Sequence, residues 1–177
     1  MKKVSLVIAA GLITFASFSQ KIYKTNSAQI KFQPVSEEGG CANNQVQSLL
    51  KSDNGQVAFS ALVKGFKFNN SLLEDHFNEN YMESTKFPNA SFKGTVTNIK
   101  DVNFTKNGTY KVSVTGKLTI HGVTKDVTTN GTIEVNGAKV IAKSNFIVKV
   151  KEYGITGNYI GGKISSDIDV AVSATYE

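Results

Sequence analysis

From Tyr110 to Tyr176 apolar and polar residues alternate almost without interruption, the apolar set falling first at even numbers, then at odd, then at even again. Tyr110, Val112, Val114, Leu118 and Ile120 share one parity, and Lys111, Ser113, Thr115, Lys117 and Thr119 share the other. Val123, Val127, Ile133 and Val135 carry the pattern on, followed by Val140, Ala142, Phe146, Val148 and Val150, then by Ile164, Ile168, Val170 and Val172. Successive side chains of a strand point to opposite faces, so a period of two sustained this long means antiparallel sheet with one dry and one wet face. The function must sit on, or inside, that dry face.

Turn chemistry divides the chain into eight expected strands, at about 27–34, 45–51, 55–68, 89–100, 109–121, 123–135, 139–151 and 162–176. Asn54-Gly55, Asn107-Gly108 and Asn136-Gly137 are pairs suited to hairpins, and His121-Gly122 joins two further runs. In the third strand Val57, Phe59, Ala61 and Val63 are odd whereas Phe66 and Phe68 are even. An extra residue at Lys64-Gly65 would return both phenylalanines to the dry face and bend the strand, as a closing barrel needs.

One segment departs from this pattern. Ser71 followed by Glu74 has the spacing of a capping box, and Leu73, Phe77 and Tyr81 recur every four residues, predicting a short helix over about 71–82 that Pro88 prevents from continuing. The expected fold is therefore all-β, an eight-stranded antiparallel barrel with one short inserted helix. Closure is preferred to a sandwich because it leaves no exposed edge, and eight strands enclose a space that side chains fill or share with one small ligand. Small residues in the dry stripes (Gly94, Gly116, Gly131, Ala142, Ser144, Ser166) leave volume, whereas Phe32, Phe59, Phe92 and Phe146 could refill it, so composition leaves hollow and filled barrels both open. A hollow one, lined with few polar groups, would suit a lipid. An outer-membrane barrel with its apolar face outward is disfavoured by the inserted helix and by the lack of aromatic girdles at strand ends.

Residues 1–19 have the form of a secretory signal, with Lys2 and Lys3 before an apolar run and small residues Ser17 and Ser19 before Gln20, leaving one domain over 20–177. Periplasmic or secreted localisation is expected, without stable membrane insertion. The single cysteine, Cys41, cannot form an internal disulfide and lies too far past the apolar run to carry a lipid anchor. The formal charge of +6 comes from lysines scattered singly, with no arginine, a pattern unsuited to nucleic acid. Nothing has the form of a nucleophile elbow or a phosphate loop, and the two histidines stand on separate elements without metal-ligand spacing. No enzyme activity, cofactor or metal is expected.

Three pieces of the chain resemble the YceI-like family: Leu73 to Met82 followed by Lys86-Phe87-Pro88-Asn89-Ala90-Ser91-Phe92-Lys93-Gly94, then Gly116 to Lys125, then Glu152-Tyr153-Gly154-Ile155 with Gly161-Gly162-Lys163-Ile164. In their order they span nearly the whole chain beyond the leader. The resemblance implies a lipocalin-like barrel, exported to the bacterial periplasm, with a polyisoprenoid or related long-chain amphiphile in its lumen and no catalytic residues. Glu37 to Leu50, containing Gly39-Gly40-Cys41, departs from the family's pattern.

On this reading the lumen is lined by Phe32, Phe59, Phe66, Phe68 and Phe92, by Val112, Val114, Phe146, Val148 and Ile168, and by Phe77 from the helix flanking its entrance. His76 on that helix is the candidate headgroup contact, against the alternative of a bond to a nearby carbonyl. His121, at its turn, is expected to be solvated or locally bonded. Carriage or sequestration of the lipid is the expected role, and a homodimer stays open. The alternative is a filled barrel acting as a stress or protein-interaction module through its outer face or the Glu37 to Leu50 loop.

Overall fold

The computed structural model describes residues 21–32 and 40–177. The leader expected at 1–19, the end of the first expected strand, and Glu37 to Gly39 lie outside them. The strands are β1 (Ile22–Phe32), β2 (Cys41–Lys51), β3 (Gln56–Leu62), β4 (Lys67–Phe68), β5 (Asn89–Val96), β6 (Gly108–Ile120), β7 (Val123–Asn136), β8 (Lys139–Lys149) and β9 (Asp167–Tyr176). Around the wall the order is β1, β9, β8, β7, β6, β5, β3, β2, and β2 pairs back to β1. All pairings between strands are antiparallel, so the eight-stranded barrel expected from the alternation closes on itself.

Closure depends on β1, which bonds to β2 along its length, from Ile22 opposite Lys51 to Phe32 opposite Cys41, and to β9 through Gln29–Phe32 opposite Ser173–Val170. Register shifts on either side of Ala28 give β1 the bend this double role requires. The dry face turns inward: Val112, Ile133, Val140 and Ala174 are buried, whereas Lys111, Lys117, Thr115 and Thr128 face out. Cys41 to Leu50 is a wall strand rather than a loop, and burial pushes the Cys41 thiol well above its ordinary range.

The expected 55–68 strand is interrupted. A 3-10 turn over Val63–Gly65 separates β3 from β4, and both pair with β2, so the chain resumes along the same neighbour after the break. Buried Asn43 fixes the break: its Nδ2 donates to Leu62 O at 2.9 Å, its Oδ1 accepts from Gln45 N, and a Cβ on Gly65 would stand 2.7 Å from that Nδ2. Phe66 and Phe68 return to the interior as the parity predicts, through a whole turn rather than one inserted residue.

The expected helix forms as α1 (Ser71–His76) extended by a wider π-type turn over Phe77–Tyr81. Its cap differs from the expected one. Asn70 Oδ1 accepts from Leu72 N and Leu73 N, whereas Glu74 accepts from Lys67 Nζ and Phe68 N. Lys67 beside it, then the Phe68 amide, hold the Glu74 carboxyl below its usual range and tie the helix to β4.

The two ends of the barrel differ. At one end the β5–β6 connection, expected as strand to 100 and a hairpin at Asn107-Gly108, instead folds underneath and buries Ile99 and Val102. Phe104 from the same connection stacks on Tyr23 at 5.4 Å, and Tyr23 lies against Tyr176 at 6.1 Å. These groups, with Val135 and Val140, make a solid floor. At the other end stand α1 and the β8–β9 connection.

Candidate functional site

Above that floor the side chains do not meet, and an apolar cavity of about 630 Å³ remains. Its base is formed by Leu50, Val57, Val96, Val112 and Ile133. Its rim is formed by Leu73, His76 and Tyr81 from the helical segment, facing Tyr159, Ile160 and Lys163 from the β8–β9 connection. The volume falls in the range of pockets that enclose a small-molecule ligand.

Every residue expected to face the lumen borders this cavity: Phe32, Phe59, Phe66, Phe68, Phe77, Phe92, Val112, Val114, Phe146, Val148 and Ile168. Four of them explain how the helix docks. The Phe77 ring sits 5.7 Å from Phe32, 5.7 Å from Phe66 and 5.1 Å from Phe68, in tilted or edge contacts that aromatic quadrupoles favour. Phe32 and Phe66 lie 5.3 Å apart, so three pieces of chain meet in one aromatic cluster below the rim.

The small residues act in two ways. Gly131, Ala142 and Ser144 border the cavity and leave it wide. Gly94 and Gly116 are cross-strand partners, and neither borders it: a Cβ on either would stand 2.6 or 2.7 Å from Phe92 Cζ, because that ring fills the space over the pair. Ser166 belongs to the turn before β9, outside the cavity wall.

The cavity's chemistry is one-sided. Among the described residues no aspartate or glutamate borders it, whereas His76 and Lys163 stand at the rim, the Lys163 ammonium 5.6 Å from the centre of the Tyr159 ring. His76 is half-buried. Tyr81 and Tyr159 approach closely enough that burial first, and their mutual repulsion second, push the Tyr81 phenol above its ordinary value. Gly157 packs against the Tyr81 ring, so the connection reaches across to the helical segment.

His121 is neither solvated nor bonded only to near neighbours in sequence. Its side chain is 12% exposed, its Nε2 lies 2.8 Å from Glu83 Oε2, its Nδ1 lies 3.3 Å from Tyr153 O, and Phe87 meets it edge-on at 4.5 Å. Both partners are acceptors, so the ring donates to each when doubly protonated. It thereby links the segment after the helix, the β6–β7 turn and the turn at Val150–Tyr153 that leads into the rim.

The expectations omitted the rim residues Tyr81, Met82, Ile155, Tyr159 and Ile160, which also border the cavity. Tyr81 was visible in the helical stripe, and Tyr159-Ile160 is an apolar pair inside a glycine-rich connection, a signal without periodicity. Among the described residues no His, Cys, Asp or Glu group gathers as a metal site, and no helix is long and apolar enough to cross a membrane.

Solved structures share this architecture. A polyisoprenoid binding domain from Saccharophagus degradans, implicated in plant cell wall breakdown, superposes with a TM-score of 0.75 at 12% identity, over 90% of this chain and 99% of that one. BcnA of Burkholderia cenocepacia gives 0.69 at 18% identity, over 84% and 94%. The YCEI protein of Campylobacter jejuni gives 0.56 at 15% identity, over 100% and 99%. Comparison with curated proteins yields no match. The family model described as the YceI-like domain matches residues 14–176, and the chain belongs to that family.

Proposed function

We propose that the protein binds a polyisoprenoid or similar long-chain amphiphile in the barrel lumen and serves to carry or sequester it in the periplasm or outside the cell. The observation that carries this reading is the cavity of about 630 Å³, lined almost wholly by apolar side chains and sealed at one end. Transfer of each methylene from water to such a space is favourable by about 0.8 kcal/mol, so a hydrocarbon chain binds without directed polar contacts. The YceI-like family match and the likeness to a domain named for polyisoprenoid binding support it. The same holds for the leader-like residues 1–19, which favour export.

In this reading Val112 and Val114 contact the hydrocarbon deep in the barrel, Phe59 and Phe92 contact it midway, and Phe146, Val148 and Ile168 contact it toward the open end. Phe32, Phe66, Phe68 and Phe77 contact it below the rim. His76 meets the headgroup, with Lys163 opposite. Among the described residues the charged side chains that border the cavity are basic only, with no carboxylate, which favours a headgroup that is anionic or accepts hydrogen bonds. Organic extraction of the purified protein followed by mass spectrometry tests the reading: a stoichiometric long-chain lipid is expected. Repeatedly empty extracts, with no uptake of added amphiphile, would refute it.

A further inference from the structure

We infer that the barrel wall has a side gate between β7 and β8, shut by Tyr153, through which a hydrocarbon enters and leaves, an inference that rests on the lumen being the lipid site. Toward the open end β6 and β7 stay paired up to Ile120 opposite Val123, and β8 and β9 up to Lys149 opposite Asp167. Between β7 and β8 the ladder stops lower down, at Gly131 opposite Ser144, and among the described residues no strand pairing joins the two above that point. Ser144 marks the fork, its Oγ donating to Asn130 O at 2.8 Å where the ladder would otherwise continue. The upper half of β7 therefore faces the upper half of β8 across a slot in the wall.

The slot leads inward. Leu118, Val127 and Val148 border the lumen and also border an outer hollow flanked by Thr128 and Ile147. Tyr153 lines that hollow, is 4% exposed and packs in one buried cluster with Leu118 and Val148. Parting β6 from β7, or β8 from β9, at this height would break ladder bonds, whereas parting β7 from β8 breaks none. Tyr153 can move without either strand, because it stands on a short 3-10 turn that ends at Gly154 with φ 71 and belongs to no ladder. Its carbonyl meets His121 Nδ1 at 3.3 Å, which fastens the turn to the β6–β7 hairpin. Segments held this way open locally at lower cost than paired strands do. At the rim, by contrast, the helical segment is pinned by Phe77 among three other aromatic rings.

The test ties the slot shut. In a Cys41→Ala background, Thr128→Cys and Ile147→Cys, two exposed positions on opposite sides of the hollow, are joined by a short bis-maleimide, and mass spectrometry confirms the bridge. Glu134→Cys with Ile141→Cys, a facing pair below the fork, receives the same bridge as a control for stiffening alone. Each protein is loaded with 1-anilinonaphthalene-8-sulfonate, a dye that a long-chain fatty acid should displace from the lumen, and stopped-flow fluorescence follows uptake and release. The bridge over the slot should slow both by about tenfold or more, and the lower bridge should change neither. Tyr153→Ala should speed both, but Tyr153 is buried and its truncation risks unfolding, so the two bridges decide. Exchange that the slot bridge leaves unaltered, or that both bridges slow alike, overturns the gate and leaves lipid binding standing. Failure of the unbridged protein to take up the dye, or of the fatty acid to displace it, overturns lipid binding itself.

Discussion

Ser48 and Tyr176 bring their hydroxyls within 2.7 Å of each other in the barrel floor, although they belong to β2 and β9, the two strands that flank β1. Tyr176 is 0% exposed and Ser48 6%, so each hydroxyl depends on the other. Tyr176→Phe leaves the Ser48 hydroxyl buried without that partner and should cost about 1–3 kcal/mol. Urea unfolding of the variant beside the wild type measures it.

The same tyrosine sets an alkaline limit. Burial pushes its phenol from the ordinary value of 10.0 up to about 12, with the Ser48 hydrogen bond opposing the rise. A folded-state value above the unfolded one means that the neutral phenol is favoured in the fold, so this contribution is fully present below pH 10 and is lost as pH rises toward 12. The loss should amount to roughly 1.4 kcal/mol per pH unit across that window. Tyr176→Phe should flatten the profile there, as equilibrium unfolding at stepped pH would register.

Gly116→Ala tests the glycine pair beneath Phe92. The new Cβ would stand 2.5 Å from both Gly94 Cα and Lys93 O, and backbone cannot swing aside as a side-chain tip can. A destabilisation of about 1–3 kcal/mol is expected from this overpacking. Phe92→Leu should relieve only part of it, because the backbone contacts persist. Thermal melts of the two single variants and the double variant give the coupling.

Two adjacent residues test the inward and outward faces. Val114 borders the cavity, whereas Ser113 has the opposite parity. Val114→Asp places a carboxylate in an apolar enclosure and should abolish dye and lipid uptake or unfold the protein. Ser113→Asp should change stability by no more than about 0.5 kcal/mol. Equal behaviour of the two variants, in circular dichroism and dye titration, would contradict the orientation of β6.

His121→Ala removes the bond to Glu83 and the edge contact with Phe87. A hydrogen bond to a charged partner that is 44% exposed should be worth about 1–2 kcal/mol or less. Because the ring links the segments that lead into both sides of the rim, bound dye should also leave faster. Stopped-flow release kinetics would detect that, and an unchanged rate would mean that the rim does not feel this link.

The wall was legible in the sequence because its information is local: parity along β6, β7 and β8 states which side chains share a face, and the His121-Gly122 and Asn136-Gly137 turns fix two hairpins. The floor was not, because Ile99, Val102 and Phe104 find their partners in Tyr23 and Tyr176, far away in sequence and without any period. The helix cap shows a different failure. Asn70 and Ser71 are both good caps, and the choice fell to Asn70 because Glu74, which the capping box would have used, is taken by Lys67 and Phe68. Inward residues could be named from parity, whereas the size of the space between them depended on where Phe92 lays its ring.

Strand β1 has a consequence for how the chain folds. Its partner β9 lies far along the chain, so the seam between Phe32 and Val170 cannot join until the strands between them have come together. Until then the nascent sheet presents two raw margins, and the hydrocarbon-lined interior stands open to whatever neighbours it. Long-range pairings of this sort slow folding. The interval before the seam joins is when the molecule is most exposed to aggregation, and also when a greasy guest could be enclosed without passing the finished rim.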